Sequence, residues 1–351
     1  MHATSLSPLD RGVPRWGRHD EAFLHPDLLP LAGVAPEPLG RLWRNLRLKR
    51  WWHIGLWHPE IYAGFAIVDS GYAKRAFAYV AREADGVTIA SHEARSPGLA
   101  VDIAKDLVGG VSEAHGQGID LAIHHRQALG EHLVLGWLDT RHGAGPMRLK
   151  LTLRRRGATT PLVQVSPFDN GRPFYTHKAP YAVEGVVEVG GQRFHMVADR
   201  DTALIDEHHA YYPHRLFWHW TTGVGRSDEG EPLALNVCRN VISRDDRFNE
   251  NGVWLGETLH SVGPVRYTLP SYSDDGDGLL SAPWQLSDDQ ERLEVTFLPS
   301  YLRREYTEVG PLYSRLRQVR GRFSGRFRTD SGRVVHWTDA RGLSEVHDAR
   351  L

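Results

Sequence analysis

The sequence has a single cysteine, Cys238, so no intramolecular disulfide can form and no cysteine-rich zinc site can be built. This cysteine usage is typical of a reducing compartment. The first twenty residues also lack the apolar core of a signal peptide, because Pro8, Asp10, Arg11 and Pro14 interrupt them. We therefore expect a cytoplasmic protein. A chain of 351 residues is long enough to bury a substantial core without disulfides.

Long hydrophobic runs are missing, since charges or glycines interrupt each apolar stretch before the roughly 20 residues that span a bilayer. Stable membrane insertion is therefore not expected. Charge of one sign is not in excess either, because 42 Lys and Arg stand against 43 Asp and Glu. An arginine-rich stretch at residues 315–328 alternates with Leu316, Val319 and Phe323, as in strands with solvated outer faces. Nucleic acid is not an expected partner.

Several common catalytic signatures are absent. The chain has no Gly-x-Ser-x-Gly nucleophile motif, no phosphate-binding Gly-x-x-x-x-Gly-Lys loop and no Rossmann glycine fingerprint that opens a helix. Esterase, nucleotide-hydrolase and dehydrogenase functions lose their usual support. We expect no cofactor.

Residues 1–48 predict an N-terminal arm laid across the body of the protein. Trp16, Phe23 and Trp43 indicate that this arm is not fully disordered. Long regular elements are not expected in it, because proline restricts the backbone. The prolines are Pro8, Pro14, Pro26, Pro30, Pro36 and Pro38.

From residue 51 onward, short runs of β-branched and aromatic residues between turn residues predict an all-β fold. In residues 149–154, leucine alternates with a polar residue, as in an antiparallel sheet with one solvated face. Residues 98–108 predict a short helix, but the long amphipathic helices of an α/β fold are missing. A Pro- and Gly-containing stretch at 166–172 separates two strand series. We expect two domains of antiparallel sheets or barrels, at residues 49–180 and 181–351.

The densest group of polar and aromatic side chains lies at residues 206–220. In a strand at 216–220, Trp218 and Trp220 share one face. Such an aromatic wall stabilises a cationic ligand or a carbocation-like intermediate, or it simply fills a barrel core. Asp206 and Glu207 precede the wall. There, partial burial would raise the pKa of a carboxyl group and make it an acid near neutral pH, unless the residue only caps a turn.

A second constellation combines Glu250 with the amides of Asn236, Asn249 and Asn251. Amides around a glutamate orient a substrate or a water molecule. They also build turns, and the pair Asn251-Gly252 is a strong turn signal. Both interpretations remain open for this segment.

His177 and Lys178 lie in the segment that joins the two halves. A lysine in an apolar crevice binds an anion or has a lowered pKa, whereas a lysine in a linker is solvated. The chain also has 20 histidines. Adjacent histidines on a strand point to opposite faces, so His208-His209 does not chelate as a unit. His209 with His214, or His124 with a distant carboxylate, remains a candidate metal site.

A series of short motifs follows in a fixed order along the chain. The motifs are Leu48-Lys49-Arg50-Trp51-Trp52, Val68-Asp69-Ser70-Gly71-Tyr72-Ala73, Ser166-Pro167-Phe168, Pro173-Phe174-Tyr175-Thr176-His177-Lys178, Asp206, Tyr211-Tyr212-Pro213-His214-Arg215, Trp218-His219-Trp220, Asn236, Asn249-Glu250-Asn251 and Gly342-Leu343-Ser344-Glu345. Through these motifs the chain resembles, from about residue 48 onward, the bacterial family of domain of unknown function 2804. Glu207 and Ala210 depart from the pattern of this family, which has an aromatic residue and a glycine there.

This resemblance places the chain near the carotenoid hydratase, tocopherol cyclase and Diels–Alderase group of paired lipocalin-like barrels. It implies two calycin-like antiparallel barrels, usually with an apolar cavity. Related enzymes hydrate, cyclise or rearrange isoprenoid or polyketide substrates without a redox cofactor. Likeness of fold alone does not assign a reaction.

Our hypothesis is a cofactor-independent lyase or isomerase of the hydratase or cyclase type. Its substrate would be a hydrophobic, unsaturated molecule such as an isoprenoid or polyketide, held between the barrels. The alternatives are a non-catalytic protein that binds a lipid or isoprenoid and a histidine-dependent metalloenzyme. The predicted catalytic residues are Asp206, Glu250, Tyr212 and His214, and the predicted substrate-binding residues are Trp218, Trp220, Asn236, Asn249, Asn251, Arg215, His177 and Lys178.

Overall fold

The computed structural model describes residues 6–33, 38–140, 142–143, 145–242 and 244–350. Strand makes up 61% of it and helix 4%, which confirms the predicted all-β class. The chain forms two compact units, each with its own antiparallel sheet curled into a half-barrel. Unit 1 comprises Met1–Val165 and Arg172–Tyr212, and unit 2 comprises Ser166–Gly171 and Pro213–Leu351. Residues 181–212, which we assigned to the second domain, therefore lie in unit 1.

Unit 1 contains a 15-stranded sheet. Its main path runs β12-β7-β6-β5-β4-β17-β15-β13-β11-β10-β9-β8, and β3, β14 and β16 branch from it. The elements before residue 213 are β1 (Leu9–Asp10), β2 (Val13–Pro14), β3 (Gly17–His19), α1 (Leu39–Arg47), β4 (Lys49–Trp57), β5 (Ile61–Asp69), β6 (Lys74–Arg82), β7 (Thr88–Arg95), β8 (Ala100–Asp102), β9 (Val111–Gly116), β10 (Ile119–Arg126), a 3-10 turn (Gln127–Leu129), β11 (Glu131–Leu138), β12 (His142–Gly143), β13 (Met147–Arg155), β14 (Leu162–Pro167), β15 (Pro173–Val189), β16 (Gln192–Met196) and β17 (Thr202–Ala210).

The hydrophobic core of unit 1 lies on one face of this curled sheet. Strand β13 shows how the sequence specifies that face, because Leu149, Leu151 and Leu153 are buried while Lys150 and Arg154 are exposed. The predicted alternation of residues 149–154 is confirmed. Burial of three leucine side chains stabilises the sheet by about 1.5–3 kcal/mol each.

Unit 2 contains a nine-stranded sheet in the order β21-β20-β19-β18-β26-β25-β24-β23-β22. Trp284, Phe297 and Phe323 stand at the centre of its core, with Phe297 stacked on Phe323 at a centroid distance of 4.5 Å. The strands are β18 (Arg215–Arg226), β19 (Pro232–Asn240), β20 (Gly252–Leu255), β21 (Thr258–Ser261), β22 (Val265–Thr268), β23 (Trp284–Asp288), β24 (Leu293–Val309), β25 (Leu312–Arg328) and β26 (Val334–Arg350).

The predicted arm packs on unit 1 where it is described, and residues 1–5 and 34–37 of it lie outside the described residues. Phe23 and Leu28 are buried against Tyr175 and Tyr211. Helix α1 was not predicted, because its sequence follows closely on a proline-rich stretch. The helix predicted at residues 98–108 is wrong, since that segment contains strand β8. Among the described residues, no helix has the length and apolar character of a membrane span.

Candidate functional site

Strand β17 carries four consecutive polar side chains, Asp206, Glu207, His208 and His209. Side chains alternate along a strand, so Asp206 and His208 share one face while Glu207 and His209 share the other. All four residues are buried, with no more than 8% of their surface exposed. One strand therefore places two separate polar clusters in unit 1.

On the first face, Asp206 lies opposite Lys178 of β15 and His53 of β4. Lys178 Nζ lies 2.8 Å from Asp206 Oδ1, and His208 Nε2 lies 2.7 Å from the same oxygen. His208 Nδ1 lies 3.1 Å from the hydroxyl of Tyr212. We call Lys178, Asp206, His208 and Tyr212 the Asp206 relay, because each is within hydrogen-bonding distance of the next.

The charges around Asp206 decide its protonation state. Burial alone would raise the pKa of Asp206, but the charges of His208 and Lys178 outweigh burial and hold this pKa well below its usual value. Asp206 is therefore a carboxylate near neutral pH. The expected raised pKa is wrong for Asp206, because Lys178 faces it through strand pairing that the sequence does not display, and it is confirmed for Glu207.

The Asp206 carboxylate also orients His208. A carboxylate beside Nε2 holds a proton on Nε2, and in the neutral form of the ring Nδ1 accepts a hydrogen bond from Tyr212. The Tyr212 hydroxyl stands at the other end of the relay, and Tyr212 itself is 6% exposed. The geometry suits general acid–base chemistry.

Aromatic rings surround the relay. Trp51 stacks on His208 and on Tyr212 at centroid distances of 4.5 and 5.7 Å. Phe174 meets His208 edge-on at 4.8 Å. Trp51 is partly exposed, whereas Phe174 is buried. These rings hold the imidazole in place and offer π faces to positive charge.

The opposite face of β17 carries a second cluster, the Glu207 network of Glu207, His177, His209 and Tyr175. His177 Nδ1 lies 3.0 Å from Glu207 Oε2, and His209 Nε2 lies 3.2 Å from Glu207 Oε1. Tyr175 donates a hydrogen bond of 3.5 Å to Glu207 Oε2. All four side chains are fully buried. Predicted residue His177 thus lies on the other face of β15 from Lys178.

A chain of hydrogen bonds runs beside the Glu207 network. Ser112 Oγ lies 2.8 Å from His125 Nε2, His125 Nδ1 lies 3.2 Å from His132 Nδ1, and His132 Nε2 lies 3.3 Å from the Tyr181 hydroxyl. The ring of Trp52 contacts both histidines, with its centroid 4.4 Å from that of His125. Sequence reasoning missed these residues, because they are scattered over separate strands.

Burial shifts the pKa values of these groups toward the neutral forms. Desolvation lowers the pKa of His132 and of His177 to about 3. It also lowers the pKa of His125 and of His209. Burial raises the pKa of Glu207 above its usual value. These four histidines are therefore neutral in the folded protein at ordinary pH.

These shifts predict that the protein loses stability on mild acidification. Unfolded histidines take up protons below about pH 6.5, whereas His132 and His177 stay neutral in the fold until about pH 3. The unfolded state then binds more protons, so the free energy of unfolding falls by about 1.4 kcal/mol per histidine and pH unit within this window. The raised pKa of Glu207 has the opposite effect on the free energy of unfolding, because the folded protein binds a proton at this one group more tightly than the unfolded chain does. Urea unfolding midpoints between pH 7 and 4.5 measure the sum.

The variant His177→Gln should show a shallower pH dependence of the urea midpoint than the parent protein. His195→Gln is the matched control, since His195 is exposed on β16 and should leave the slope unchanged. A midpoint that stays constant from pH 7 to 4.5 in the parent protein would contradict the neutral buried histidines.

In unit 2, the predicted residues Asn236 and Glu250 join β18 and β19 to the segment before β20. Trp220 Nε1 donates to Asn236 Oδ1 at 2.7 Å, and Asn236 Nδ2 donates to the main-chain oxygen of Glu250 at 2.6 Å. Asn240 Nδ2 donates to Glu250 Oε1 at 2.8 Å. Glu250 is only 2% exposed. These bonds fix the position of the Glu250 carboxyl group.

Asn251 links two further backbone segments. Its Oδ1 accepts a hydrogen bond from Cys238 N at 2.6 Å, and its Nδ2 donates to Gly263 O at 2.9 Å. Asn249 Oδ1 accepts from Asn251 N at 3.1 Å. The turn interpretation of Asn251-Gly252 is wrong, because Gly252 begins strand β20 and the Asn251 side chain is engaged across strands.

Residues 216–220 lie within strand β18, as predicted. Trp218 Nε1 donates to Glu345 Oε2 at 3.0 Å, and the Trp218 ring packs on His347 with a centroid distance of 3.8 Å. The face that carries the two tryptophans is therefore mixed aromatic and polar. His214 and Arg215 are exposed, and His214 Nε2 lies 3.2 Å from Arg350 Nε.

A pocket of about 500 Å³ on unit 2 lies away from all the predicted residues. Its charged lining includes Glu294 and Arg326, which form an exposed ion pair. Exposed ion pairs of this kind contribute little to the stability of the fold and are common on protein surfaces. Within the described part of the chain, no three His, Cys, Asp or Glu side chains are grouped so that they could hold a metal ion.

Solved structures with a similar fold are known. A crystal structure of CghA is similar, with a TM-score of 0.50 and 10% identity over 87% of this chain and 88% of CghA. A crystal structure of kievitone hydratase from Nectria haematococca is similar with a TM-score of 0.49 and 12% identity, over 95% of this chain and 98% of that one. At these identities the likeness concerns the fold alone.

Residues 29–351 match the family model of the domain of unknown function DUF2804. The chain belongs to this family, which confirms the resemblance predicted from the motifs. A comparison with curated proteins gave no match.

Proposed function

We propose that the protein is a lyase or isomerase of the hydratase or cyclase type, which transfers a proton to or from a hydrophobic, unsaturated substrate. The observation that carries the proposal is the Asp206 relay, in which a carboxylate, an imidazole and a phenol follow one another at 2.7 and 3.1 Å. The relay provides a proton acceptor and a proton donor from the chain's own side chains. No redox cofactor is needed for this chemistry.

Tyr212 is the group that meets the substrate in this proposal. Its oxygen removes a proton from a substrate carbon while its own proton passes to His208 Nδ1, and the Asp206 carboxylate stabilises the imidazolium that forms. In the reverse direction the proton returns through Tyr212. In isomerisation it goes to a different carbon. In hydration no substrate C–H bond breaks: the relay gives a proton through Tyr212 to one carbon of a double bond, water adds to the other carbon, and the proton that this water releases restores the relay.

The surrounding side chains have supporting roles. Lys178 keeps Asp206 ionised, and the faces of Trp51 and Phe174 stabilise positive charge that develops on an unsaturated substrate. In unit 2 we assign Glu250 and Asn236 to positioning, since both are already hydrogen-bonded within that unit. Trp218, Trp220, Asn249, Asn251 and Arg215 stay predictions as substrate-binding residues, and His214 stays a predicted catalytic residue.

Solvent deuterium incorporation tests the proposal. Small molecules are extracted from the purified protein, identified by mass spectrometry, and incubated with fresh protein in D₂O beside a panel of polyenes and terpenoids. We expect a converted or exchanged product that carries carbon-bound deuterium, and no incorporation with Asp206→Asn. Asp120→Asn is the matched control, because the Asp120 side chain is 67% exposed. A ligand that co-purifies and stays undeuterated would instead identify a binding protein.

A further inference from the structure

Helix α1 exposes three leucines on one side. Leu39, Leu42 and Leu46 expose 67%, 58% and 44% of their surface. At 3.6 residues per turn these positions fall within an arc of about 60°. They form one apolar stripe, which we call the leucine stripe. A continuous exposed apolar surface marks a site of interaction more often than scattered apolar residues do.

The other side of α1 holds the helix firmly on unit 1. The Trp43 ring stacks on Tyr211 at a centroid distance of 5.3 Å and an angle of 18°. Arg47 donates a hydrogen bond of 2.9 Å to the main-chain oxygen of Tyr212. The leucine stripe therefore faces outward from a fixed helix, and that helix directly contacts the end of the Asp206 relay.

The end of α1 is clamped to the turn between β5 and β6. Lys49 Nζ donates to Leu46 O at 3.0 Å and to Ser70 O at 2.5 Å. Gly71 has a φ of +80°, and a Cβ at this position would lie 2.6 Å from Leu46 O, so only glycine fits. Lys49 Nζ also lies 4.1 Å from the centroid of the Tyr72 ring, which is 48% exposed. An exposed tyrosine thus stands beside the leucine stripe.

The charge around α1 differs from that of the chain as a whole. The net charge of the protein is −1, yet helix α1 carries three arginines and no acidic residue, and these arginines are exposed or partly exposed. Asp69 lies close by, but it is paired with Arg50 and Lys74. A basic surface with an outward apolar stripe matches a bilayer that contains anionic lipids, where leucine enters the headgroup boundary and arginine meets phosphate.

We propose that α1 docks the protein reversibly on an anionic membrane surface, with Leu39, Leu42 and Leu46 in the headgroup boundary and Tyr72 at the interface. This docking goes beyond the proposed reaction and does not depend on it. If the reaction is also correct, the docked helix brings Tyr212 close to the phase in which hydrophobic substrates dissolve.

Sedimentation of the full chain with lipid vesicles tests the docking. We expect the protein to sediment with vesicles of phosphatidylglycerol and phosphatidylcholine, to bind less as salt rises, and to remain in solution with phosphatidylcholine alone. Leu42→Gln and Leu46→Gln should reduce the bound fraction at least about fivefold. Leu129→Gln and Leu298→Gln are matched controls, because these leucines are 78% and 50% exposed elsewhere, and both should bind like the parent protein.

A parent protein that stays in solution with anionic vesicles would overturn the docking, and so would full binding by Leu42→Gln. A dimer that dissociates in Leu42→Gln without any binding to vesicles would show that the leucine stripe joins two copies instead. The deuterium assay runs without lipid, so failure of the docking and failure of the proposed reaction give separate results.

Discussion

Replacing Tyr212 with phenylalanine should lower kcat by about 10²- to 10⁴-fold, the usual contribution of a general acid or base. The substitution removes only the hydroxyl that lies 3.1 Å from His208 Nδ1, while the ring keeps its stack on Trp51. Turnover of the substrate found by the deuterium assay measures kcat. We expect KM to change much less, because the aromatic contact surface remains.

Tyr272→Phe is the control for this prediction, since Tyr272 is 39% exposed and belongs to unit 2. It should keep the parent kcat. The double variant Asp206→Asn with Tyr212→Phe should be little slower than either single variant, because the residues of one relay act together. Parent-like kcat in Tyr212→Phe would remove the phenol from the mechanism.

Replacing Glu207 with alanine should lower the free energy of unfolding by about 3 kcal/mol or more. The substitution leaves His177, His209 and Tyr175 without their buried acceptor, and each orphaned donor costs about 1–3 kcal/mol. These partners lie 3.0, 3.2 and 3.5 Å from the carboxylate oxygens. Urea denaturation followed by far-UV circular dichroism measures the loss.

Glu184→Ala is the matched control for Glu207→Ala. Glu184 also belongs to the sheet of unit 1, but its side chain is 51% exposed and pairs with exposed Arg154. We expect a change within about 0.5 kcal/mol. Equal losses in the two variants would show that the Glu207 network does not hold unit 1 together.

The all-β class and the strands with clear alternation could be predicted from the sequence. In β13 the leucines alone identify the buried face, because each polar neighbour faces water. Strand β18 was also predicted, since its tryptophans mark it as apolar and aromatic. Both predictions rest on local patterns, which a single strand carries without reference to its partners.

Strand β17 could not be predicted in the same way. Its centre reads Asp206-Glu207-His208-His209, which looks like a solvated turn, yet every side chain of the strand except that of Thr202 is buried. Only pairing with β15 and β4 supplies the partners that make this burial tolerable. For the same reason, neither His208 nor Trp51 was predicted to belong to the candidate site.

The helix α1 and the role of Asn251 were missed for a related reason. Proline near residues 36–38 indicated an irregular arm, although proline is tolerated just before a helix. The Asn251-Gly252 pair has the composition of a hairpin turn, but its amide is used across strands. Local composition limits which secondary structures a segment can adopt, and tertiary contacts decide which of them forms.

Because β17 carries two neighbouring carboxyl groups, electrostatic interactions help to select the pairing register of this strand. A slip by one residue would turn Glu207 toward Lys178 and would bring Asp206 among uncharged imidazoles inside unit 1. The shorter acid would then be buried away from Lys178, the cation that faces it in the native register. Misaligned pairing of this strand is thus penalised electrostatically, in addition to the penalty from its displaced apolar residues.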